Sequence, residues 1–260
     1  MNVAEINGIR LHYRDEGEGA PVVFCNSLGT DLRLWDKVVA HLPAGLRLIR
    51  YDKRGHGLTD APRAPYSMGR LVGDAEALME HLDVRGAVFV GCSIGGMVAQ
   101  GLAAKRGDLL AGMVLSNTAS KIGTQQMWDD RIAKVEAGGV EALADAVMER
   151  WFSPPFRETP ELAAWRNMLT RTPADGYAGC SAAIAGTDFY TTTAALTLPT
   201  LGIGGDHDGS TPPDLVRETT ELVQGGRFEL IRGAGHLPMV EQPEAFAGVL
   251  TDFLKEVGHV

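Results

Sequence analysis

The fold of this chain is indicated most directly by the segment Ala87-Val88-Phe89-Val90-Gly91-Cys92-Ser93-Ile94-Gly95-Gly96. Residues 87–92 form a continuous apolar run, which is typical of a strand buried on both faces of a sheet. A helical pattern follows over residues 94–106, so Ser93 lies where a strand turns directly into a helix. A serine in the sequence Gly-x-Ser-x-Gly at such a turn is held exposed in a strained backbone conformation, and we therefore predict that Ser93 is a nucleophile.

The rest of the chain alternates in the same way between apolar strands and amphipathic helices. Apolar residues at helical spacing mark residues 32–42 and 71–82. The other predicted strands are short apolar runs at 22–26, 46–52, 112–117, 199–204 and 228–233. This alternation predicts an α/β fold with a mostly parallel central sheet that helices flank on both faces.

Two segments depart from that alternation. Residues 3–15 alternate between apolar and polar side chains around Asn7-Gly8, a dipeptide that suits a type I′ turn, so we predict a β-hairpin there. Residues 120–190 carry helical patterns but no clear strand. We therefore divide the chain into an α/β core domain of residues 1–119 and 195–260 and a helical cap insertion of residues 120–194.

The starts of two helices after the insertion are marked by proline. Thr211-Pro212 predicts a helix with Thr211 as its N-cap and Pro212 at its first helical position. The last helix is predicted to begin at Pro243, because apolar residues follow it at helical spacing up to Val257.

The composition limits the partners that this chain can have. It has 260 residues, of which 45% are hydrophobic, and a formal net charge of −9. Such an acidic surface repels phosphate backbones, so nucleic acid is not an expected partner. No apolar segment is long enough for a membrane span, and the charged N-terminal residues are unlike a signal peptide. Because the three cysteines are also scattered and odd in number, we expect a cytoplasmic enzyme or binding domain with no membrane partner.

Two loops in the second half of the chain carry further candidate functional residues. Asp206 and Asp208 follow the strand at 199–204, and His236 follows the strand at 228–233. Functional groups of parallel α/β sheets gather beyond the carboxyl ends of the strands. The chain order of Ser93, an acid and His236 is the order of the catalytic triad in α/β-hydrolases.

In such a triad, the histidine and the acid activate the serine as a nucleophile. Histidine is the residue type that most often takes the proton of a catalytic serine, and a carboxylate must hold the imidazole of His236 in the correct tautomer. We choose Asp208 for that role because it lies further out on the loop, whereas Asp206 is placed to order the turn. The backbone amides of Ile94 and Leu28 are the candidates for binding the oxyanion.

Other reactive residue types do not form a pattern of their own. Cys92 is interpreted as a packing residue beside the nucleophile, and His56 as part of a structural turn. No cluster has the spacing of metal ligands, and Gly91-Cys92-Ser93-Ile94-Gly95-Gly96 lacks the opening of a dinucleotide fingerprint. We therefore expect no metal and no cofactor.

The chain resembles the 3-oxoadipate enol-lactonases of the α/β-hydrolase superfamily over nearly its full length. The superfamily motifs indicate only a hydrolase, whereas the stretch from Ser116 into the insertion is specific to the lactonases. The stretches that carry the resemblance are Asn26–Asp31 with Trp35, Tyr51–Gly57, Ser116–Thr124 with Trp128, Arg131–Ala133, Glu149–Phe152, Gly209–Pro213 and Val240–Glu244. One departure from common superfamily usage is Asn26-Ser27, which stands where many relatives have His-Gly.

The resemblance implies hydrolysis of 3-oxoadipate enol-lactone to 3-oxoadipate, without a cofactor, in the bacterial breakdown of aromatic compounds through protocatechuate or catechol. The expected partner is thus a small lactone that bears a carboxylate. Trp128 and Arg131 are three residues apart and share one helix face, so we predict that they bind this carboxylate. The alternative for these two residues is a core tryptophan and a solvated arginine.

Other functions remain open on the sequence alone. A carboxylesterase, a hydrolase of carbon–carbon bonds and a cofactor-free perhydrolase would all keep Ser93, Asp208 and His236 and differ in the insertion. A protein of another class would be a non-catalytic α/β-hydrolase that binds a small ligand, although such a protein has no need of the complete set of catalytic residues.

Overall fold

The computed structural model describes residues 1–260 and contains one eight-stranded sheet. The strands are β1 (Asn2–Ile6), β2 (Ile9–Glu16), β3 (Ala20–Cys25), β4 (Leu46–Tyr51), β5 (Ala87–Cys92), β6 (Leu110–Ser116), β7 (Thr200–Gly205) and β8 (Arg227–Ile231). Their order across the sheet is β1-β2-β4-β3-β5-β6-β7-β8. β2 pairs antiparallel with β1 and β4, and every other neighbouring pair is parallel. The predicted mostly parallel α/β sheet is therefore confirmed.

Helices fill the connections between these strands. They are α1 (Asp36–Val39), α2 (Met68–His81), α3 (Ile94–Arg106), α4 (Gln125–Gly138), α5 (Ala144–Trp151), α6 (Pro154–Arg157), α7 (Leu162–Thr170), α8 (Ala174–Ala185), α9 (Tyr190–Ala194), α10 (Pro213–Glu221), α11 (Pro238–Glu241) and α12 (Pro243–Glu256). α3 packs on β5 and β6, and α10 packs on β7. Six of them, α4 to α9, lie consecutively between β6 and β7. None of the helices combines the length and the apolar content needed to cross a membrane.

The N-terminal hairpin forms where its turn dipeptide predicts it. Asn7 and Gly8 have φ angles of 48° and 76°, and both angles lie in the left-handed region that a type I′ turn requires. β1 and β2 pair across this turn in register from Ile6 opposite Ile9 to Asn2 opposite Tyr13.

The predicted helix at 32–42 is wrong in length and type. The structure has one 3-10 turn over Leu32–Trp35, followed by only four α-helical residues in α1. Pro43 disfavours a helical conformation for the residue before it, which ends the helix early. The indole of Trp35 is buried between the rings of Phe24 and Phe246, with ring centroids 5.1 and 6.0 Å away, so tertiary packing holds this short segment.

The predicted N-cap at Thr211 is also wrong. α10 begins at Pro213 and Pro212 occupies the N-cap position. The Thr211 hydroxyl instead donates a hydrogen bond to Asp208 Oδ2 at 2.8 Å, so its side chain faces Asp208 and not the helix.

Parallel pairing places the candidate functional loops at one edge of the sheet. The last residues of β5 and β6, Cys92 and Ser116, are direct partners, and Gly205 at the end of β7 pairs with Ile231 at the end of β8. The loops that follow these strands therefore begin side by side, as expected for a parallel sheet.

Candidate active site

The turn between β5 and α3 holds Ser93 in a conformation that is rare for a residue with a side chain. Ser93 has φ 57° and ψ −118°, in the left-handed region. Its amide donates to the Ser116 carbonyl at 2.9 Å, and its carbonyl accepts from the Thr118 hydroxyl at 2.6 Å. The end of β6 thus imposes the strained backbone on Ser93.

The glycines on either side of Ser93 are required by the close approach of α3 to the sheet. A Cβ atom on Gly95 would lie 2.2 Å from the Cys25 carbonyl oxygen, and one on Gly91 would lie 2.2 Å from the Gly95 oxygen. The sequence Gly-x-Ser-x-Gly is therefore a steric requirement of this turn.

Asp208 and His236 are in direct contact, as the sequence predicts. Their side chains are almost completely buried, and His236 Nδ1 lies 2.9 Å from Asp208 Oδ2. The His236 backbone is fixed in turn, because its amide donates to the Trp151 carbonyl at 2.8 Å. The Trp151 ring stacks on the imidazole with a centroid distance of 6.4 Å.

Asp208 is surrounded by donors that keep it ionised. Oδ1 accepts from the Ser210 and Thr211 amides at 2.7 and 3.0 Å, and Oδ2 accepts from Asn117 Nδ2 at 2.9 Å. Burial by itself raises the pKa of the Asp208 carboxyl, but the interaction with His236 and these hydrogen bonds outweigh it and hold that pKa below its ordinary value. An ionised Asp208 accepts a hydrogen bond from His236 Nδ1–H, which leaves Nε2 as an acceptor.

Asp206 does what the sequence suggests for it and orders the neighbouring loop. Its Oδ1 accepts from the amides of Gly233 and Ala234 at 2.8 and 3.2 Å. Asp206 thus ties the loop after β7 to the loop that carries His236.

Ser93 Oγ makes no hydrogen bond within the protein and borders the same cavity as His236. The polar neighbour of His236 Nε2 is Ser27 Oγ at 3.4 Å. The structure therefore brings Ser93 and His236 together at one cavity without joining them by a hydrogen bond. Catalytic hydrogen bonds are often long in ligand-free proteins and shorten when substrate binds.

The loop after β3 borders this cavity and contains backbone amides that have no acceptor within the protein. The Gly29 amide donates to His56 Nε2 at 2.9 Å, whereas the Leu28 amide has no acceptor within the protein. Burial and the nearby Lys53 lower the pKa of His56 well below its ordinary value, so His56 stays neutral and accepts this bond. Lys53 Nζ donates to the Ser27 carbonyl and holds the loop from the other side.

The second predicted amide belongs to Ile94, the first residue of α3. Amides in the first turn of a helix have no acceptor within the helix, and they favour negative charge. Leu28 borders the cavity together with Ser93, and the Ile94 amide follows Ser93 directly in the chain.

The cavity has a volume of about 130 Å³, which suits a small molecule. Its base comes from the loops of the sheet and includes Ser27, Leu28, Ser93 and His236. The helices between β6 and β7 supply a second part of the wall, namely Met127, Trp128, Arg131, Arg150, Trp151 and Tyr177, and Ile122 and residues 209–211 complete it.

Trp128 and Arg131, predicted from their spacing, both line this cavity. The Arg131 guanidinium lies over the rings of Trp128 and Tyr177, 5.3 and 5.8 Å from their centroids. The Trp128 indole N–H donates to the Ile122 carbonyl at 2.7 Å, so only its ring is available to a ligand.

Arg150 is a cavity residue that the sequence analysis did not single out. It is half-buried and has no carboxylate partner, and both burial and the nearby Arg131 lower its pKa. Two arginines without acidic partners thus make one wall of the cavity positive in a chain whose net charge is −9. The sequence around Arg150 does not indicate this role, because Arg150 of α5 and Arg131 of α4 come to line one cavity only in the tertiary structure.

Comparison with known proteins identifies the family. The sequence profile of the α/β hydrolase family matches residues 22–249, and the chain belongs to that family. It is a hydrolase that is similar to the 3-oxoadipate enol-lactonases, which confirms the resemblance predicted from sequence motifs. 3-Oxoadipate enol-lactonase 2 of Acinetobacter baylyi is 34% identical over 92% of this chain and 90% of that protein.

A solved structure agrees with this similarity, whereas another relative carries a different named activity. The enol-lactonase of Burkholderia xenovorans superposes with a TM-score of 0.94 at 38% identity, covering 98% of this chain and all of that one. The family also includes a non-heme chloroperoxidase of Streptomyces lividans, which is 27% identical over 97% of this chain and 99% of that protein.

Replacing Ser93 with glycine is expected to stabilise the protein. Glycine adopts the left-handed conformation without strain, so we expect Ser93→Gly to raise the free energy of unfolding by about 1 kcal/mol. Ser93→Ala keeps the Cβ atom and serves as the control, with little or no gain. Urea unfolding of both variants measures the difference. Without strain, Ser93→Gly would be the less stable of the two variants, because glycine gives the unfolded chain more conformational entropy.

Proposed function

We propose that this chain hydrolyses the lactone ester of 3-oxoadipate enol-lactone to 3-oxoadipate, with Ser93, His236 and Asp208 as its catalytic triad. The observation that carries the proposal is the cavity itself. An unbonded serine hydroxyl and a buried His–Asp pair meet there opposite two arginines that have no acidic partner. The named activities of the enol-lactonase relatives support the choice of substrate.

The proposed reaction begins with attack of Ser93 Oγ on the lactone carbonyl carbon while His236 Nε2 takes the serine proton. The Leu28 and Ile94 amides bind the oxyanion that forms. Collapse of this intermediate breaks the ring C–O bond and expels an enolate, which takes the proton from His236 Nε2 and becomes the ketone. Water then attacks the acyl carbon while one of its protons passes to His236 Nε2. The bond between the acyl carbon and Ser93 Oγ breaks, His236 returns that proton to Ser93 Oγ, and the carboxylic acid leaves.

The helical segment of residues 120–194 is, in this proposal, a cap that recognises the substrate. Arg131 and Arg150 bind the substrate carboxylate, and the Trp128 and Tyr177 rings hold the Arg131 side chain in place. A carboxylate buried with these guanidinium groups gains charge-assisted hydrogen bonds that a neutral ester lacks. The pathway that we infer for the enzyme is bacterial catabolism of aromatic compounds, on the basis of the same relatives.

The lactone itself provides the first test. We expect the wild-type protein to remove the ultraviolet absorbance of freshly generated 3-oxoadipate enol-lactone, and we expect Ser93→Ala to lower kcat by about 10⁶-fold. Covalent labelling of Ser93 by an organophosphonate, followed by mass spectrometry, checks the nucleophile independently. If the wild type ignores the lactone but cleaves a simple aryl ester, the substrate is wrong and the triad stands. A folded protein that does neither and resists labelling would be a binding protein.

The two arginines allow a test of specificity. We expect Arg131→Ala and Arg150→Ala each to lower kcat/KM for the lactone by roughly 30-fold, which corresponds to about 2 kcal/mol for a lost buried charged contact. Hydrolysis of p-nitrophenyl acetate, which carries no carboxylate, should change little. Arg166→Ala is the control, because Arg166 lies outside the cavity and pairs with Glu141 and Asp145. Equal losses on both substrates would mean that the arginines do not recognise the carboxylate.

Variants of the two aspartates on the loop after β7 distinguish a catalytic role from a role in loop structure. Asp208→Asn is expected to lower kcat by about 10⁴-fold, because a neutral amide no longer selects the His236 tautomer with a free Nε2. Asp206→Asn keeps the Oδ1 acceptor for the Gly233 and Ala234 amides and should retain most of the activity. Steady-state kinetics on the lactone measures both. A larger loss in Asp206→Asn than in Asp208→Asn would reverse the assignment.

A further inference from the structure

Ser27 stands at a position that the proposed triad mechanism does not use. Its side chain is buried, borders the cavity beside Ser93, and places Oγ 3.4 Å from His236 Nε2. This distance exceeds that of a strong hydrogen bond from a hydroxyl group. Ser27 Oγ and His236 Nε2 are thus neighbours at one cavity, and each can still form a stronger hydrogen bond with another group.

The backbone of Ser27 is held more firmly than that of an ordinary loop residue. Its carbonyl accepts from the Thr30 amide at 3.2 Å, from the Thr30 hydroxyl at 2.9 Å and from Lys53 Nζ. Lys53 is fully buried, and burial lowers its pKa. Three donors on one carbonyl fix the direction in which the Ser27 side chain leaves the loop.

The Ser27 hydroxyl also has a second neighbour, the Cys92 sulfur. Burial raises the pKa of the Cys92 thiol well above its ordinary value, and the neighbouring Ser27 hydroxyl has a smaller, opposite effect. The Cys92 thiol lies 3.8 Å from the His236 carbonyl oxygen, to which it donates. The Ser27 proton can therefore point towards sulfur, which leaves a lone pair on Ser27 Oγ directed at the cavity.

We propose that Ser27 Oγ and His236 Nε2 together bind the water molecule that hydrolyses the acyl-enzyme. Two acceptors 3.4 Å apart can each accept one O–H of the same water at about 2.8 Å, an ordinary hydrogen-bond length. This inference rests on the proposed acyl-enzyme at Ser93, although it does not depend on which ester forms it.

The proton balance of the step follows from this arrangement. The water oxygen forms a bond to the acyl carbon while one water proton passes to His236 Nε2 and the other stays hydrogen-bonded to Ser27 Oγ. The bond between the acyl carbon and Ser93 Oγ then breaks, and Ser93 Oγ takes the proton back from Nε2. The products are a carboxylic acid and free Ser93, so Ser27 is unchanged by the step.

The proposal distinguishes water from other nucleophiles by its number of O–H groups. Water can donate to both His236 Nε2 and Ser27 Oγ, whereas methanol has one O–H and can donate only to Nε2. Loss of the Ser27 hydroxyl therefore slows attack by water and leaves attack by methanol nearly unchanged. A general disturbance of His236 or of the oxyanion amides would slow both attacks alike.

The test is the partition of one acyl-enzyme between two nucleophiles. The wild-type protein, Ser27→Ala and Ser27→Gly are supplied with p-nitrophenyl acetate in buffer with a fixed concentration of methanol, and acetic acid and methyl acetate are quantified. We expect the ratio of acid to methyl ester to fall by about 5-fold in both variants, the effect of one lost hydrogen bond. The ratio does not depend on which step limits the overall rate.

Two further variants complete the experiment. Ser27→Thr retains a hydroxyl and should keep a ratio near that of the wild type. Ser210→Ala removes a hydroxyl from another residue of the same cavity and should leave the ratio unchanged. Thermal unfolding of each variant establishes that the protein is folded, and Ser27→Gly provides the result if Ser27→Ala is not.

An unchanged ratio in Ser27→Ala or Ser27→Gly would overturn the proposal, whatever the effect on overall rate. Because p-nitrophenyl acetate replaces the lactone, this outcome is independent of the substrate assignment. Failure of the wild-type protein to hydrolyse the lactone would contradict the proposed function and leave the partition result intact.

Discussion

The end of β6 connects the two halves of the proposed catalytic machinery. The Ser116 carbonyl and the Thr118 hydroxyl bind the backbone of Ser93 on one side, while Asn117 Nδ2 donates to Asp208 Oδ2 on the other. Asn117 itself has a left-handed φ of 48°, which turns its side chain towards Asp208 and the Gly235 carbonyl. Three consecutive residues therefore set the position of the nucleophile relative to the acid. No other segment contacts both in this way, so the geometry of the site depends on where β6 ends.

The charged groups at the cavity come from two parts of the chain, the sheet and the inserted helices. The sheet edge supplies an ionised Asp208, an imidazole that it orients and backbone amides from two loops. The inserted helices supply two guanidinium groups in a chain of net charge −9, so the cavity attracts anions that the rest of the surface repels. Under the proposed function, the sheet edge supplies the catalytic groups and the inserted helices recognise the substrate carboxylate.

Buried polar residues support the loop after β3 in a way that the triad alone does not explain. His56 and Lys53, both from the loop after β4, occupy the Gly29 amide and the Ser27 carbonyl. These two contacts leave the Leu28 amide without an acceptor and the Ser27 hydroxyl beside His236, and both residues border the cavity. A neutral His56 is needed for this arrangement, since a protonated imidazole cannot accept the Gly29 hydrogen bond. Burial of His56 thus helps to hold the loop that contains the proposed oxyanion amide of Leu28, although His56 itself does not line the cavity.

Local sequence determined the sheet, the hairpin and the residues just beyond the strands. Strand periodicity, the Asn7-Gly8 turn and the glycines around Ser93 are short-range signals, and the order Ser93, Asp208, His236 can be read without a structure. The 3-10 turn at Leu32–Trp35 and the start of α10 at Pro213 departed from prediction because Trp35 packing and the Asp208–Thr211 bond override local propensity. Only the tertiary structure showed Arg150 beside Arg131, Asn117 against Asp208 and Ser27 at His236. Each of these pairs joins segments that are distant in sequence, and no local pattern encodes a contact of that kind.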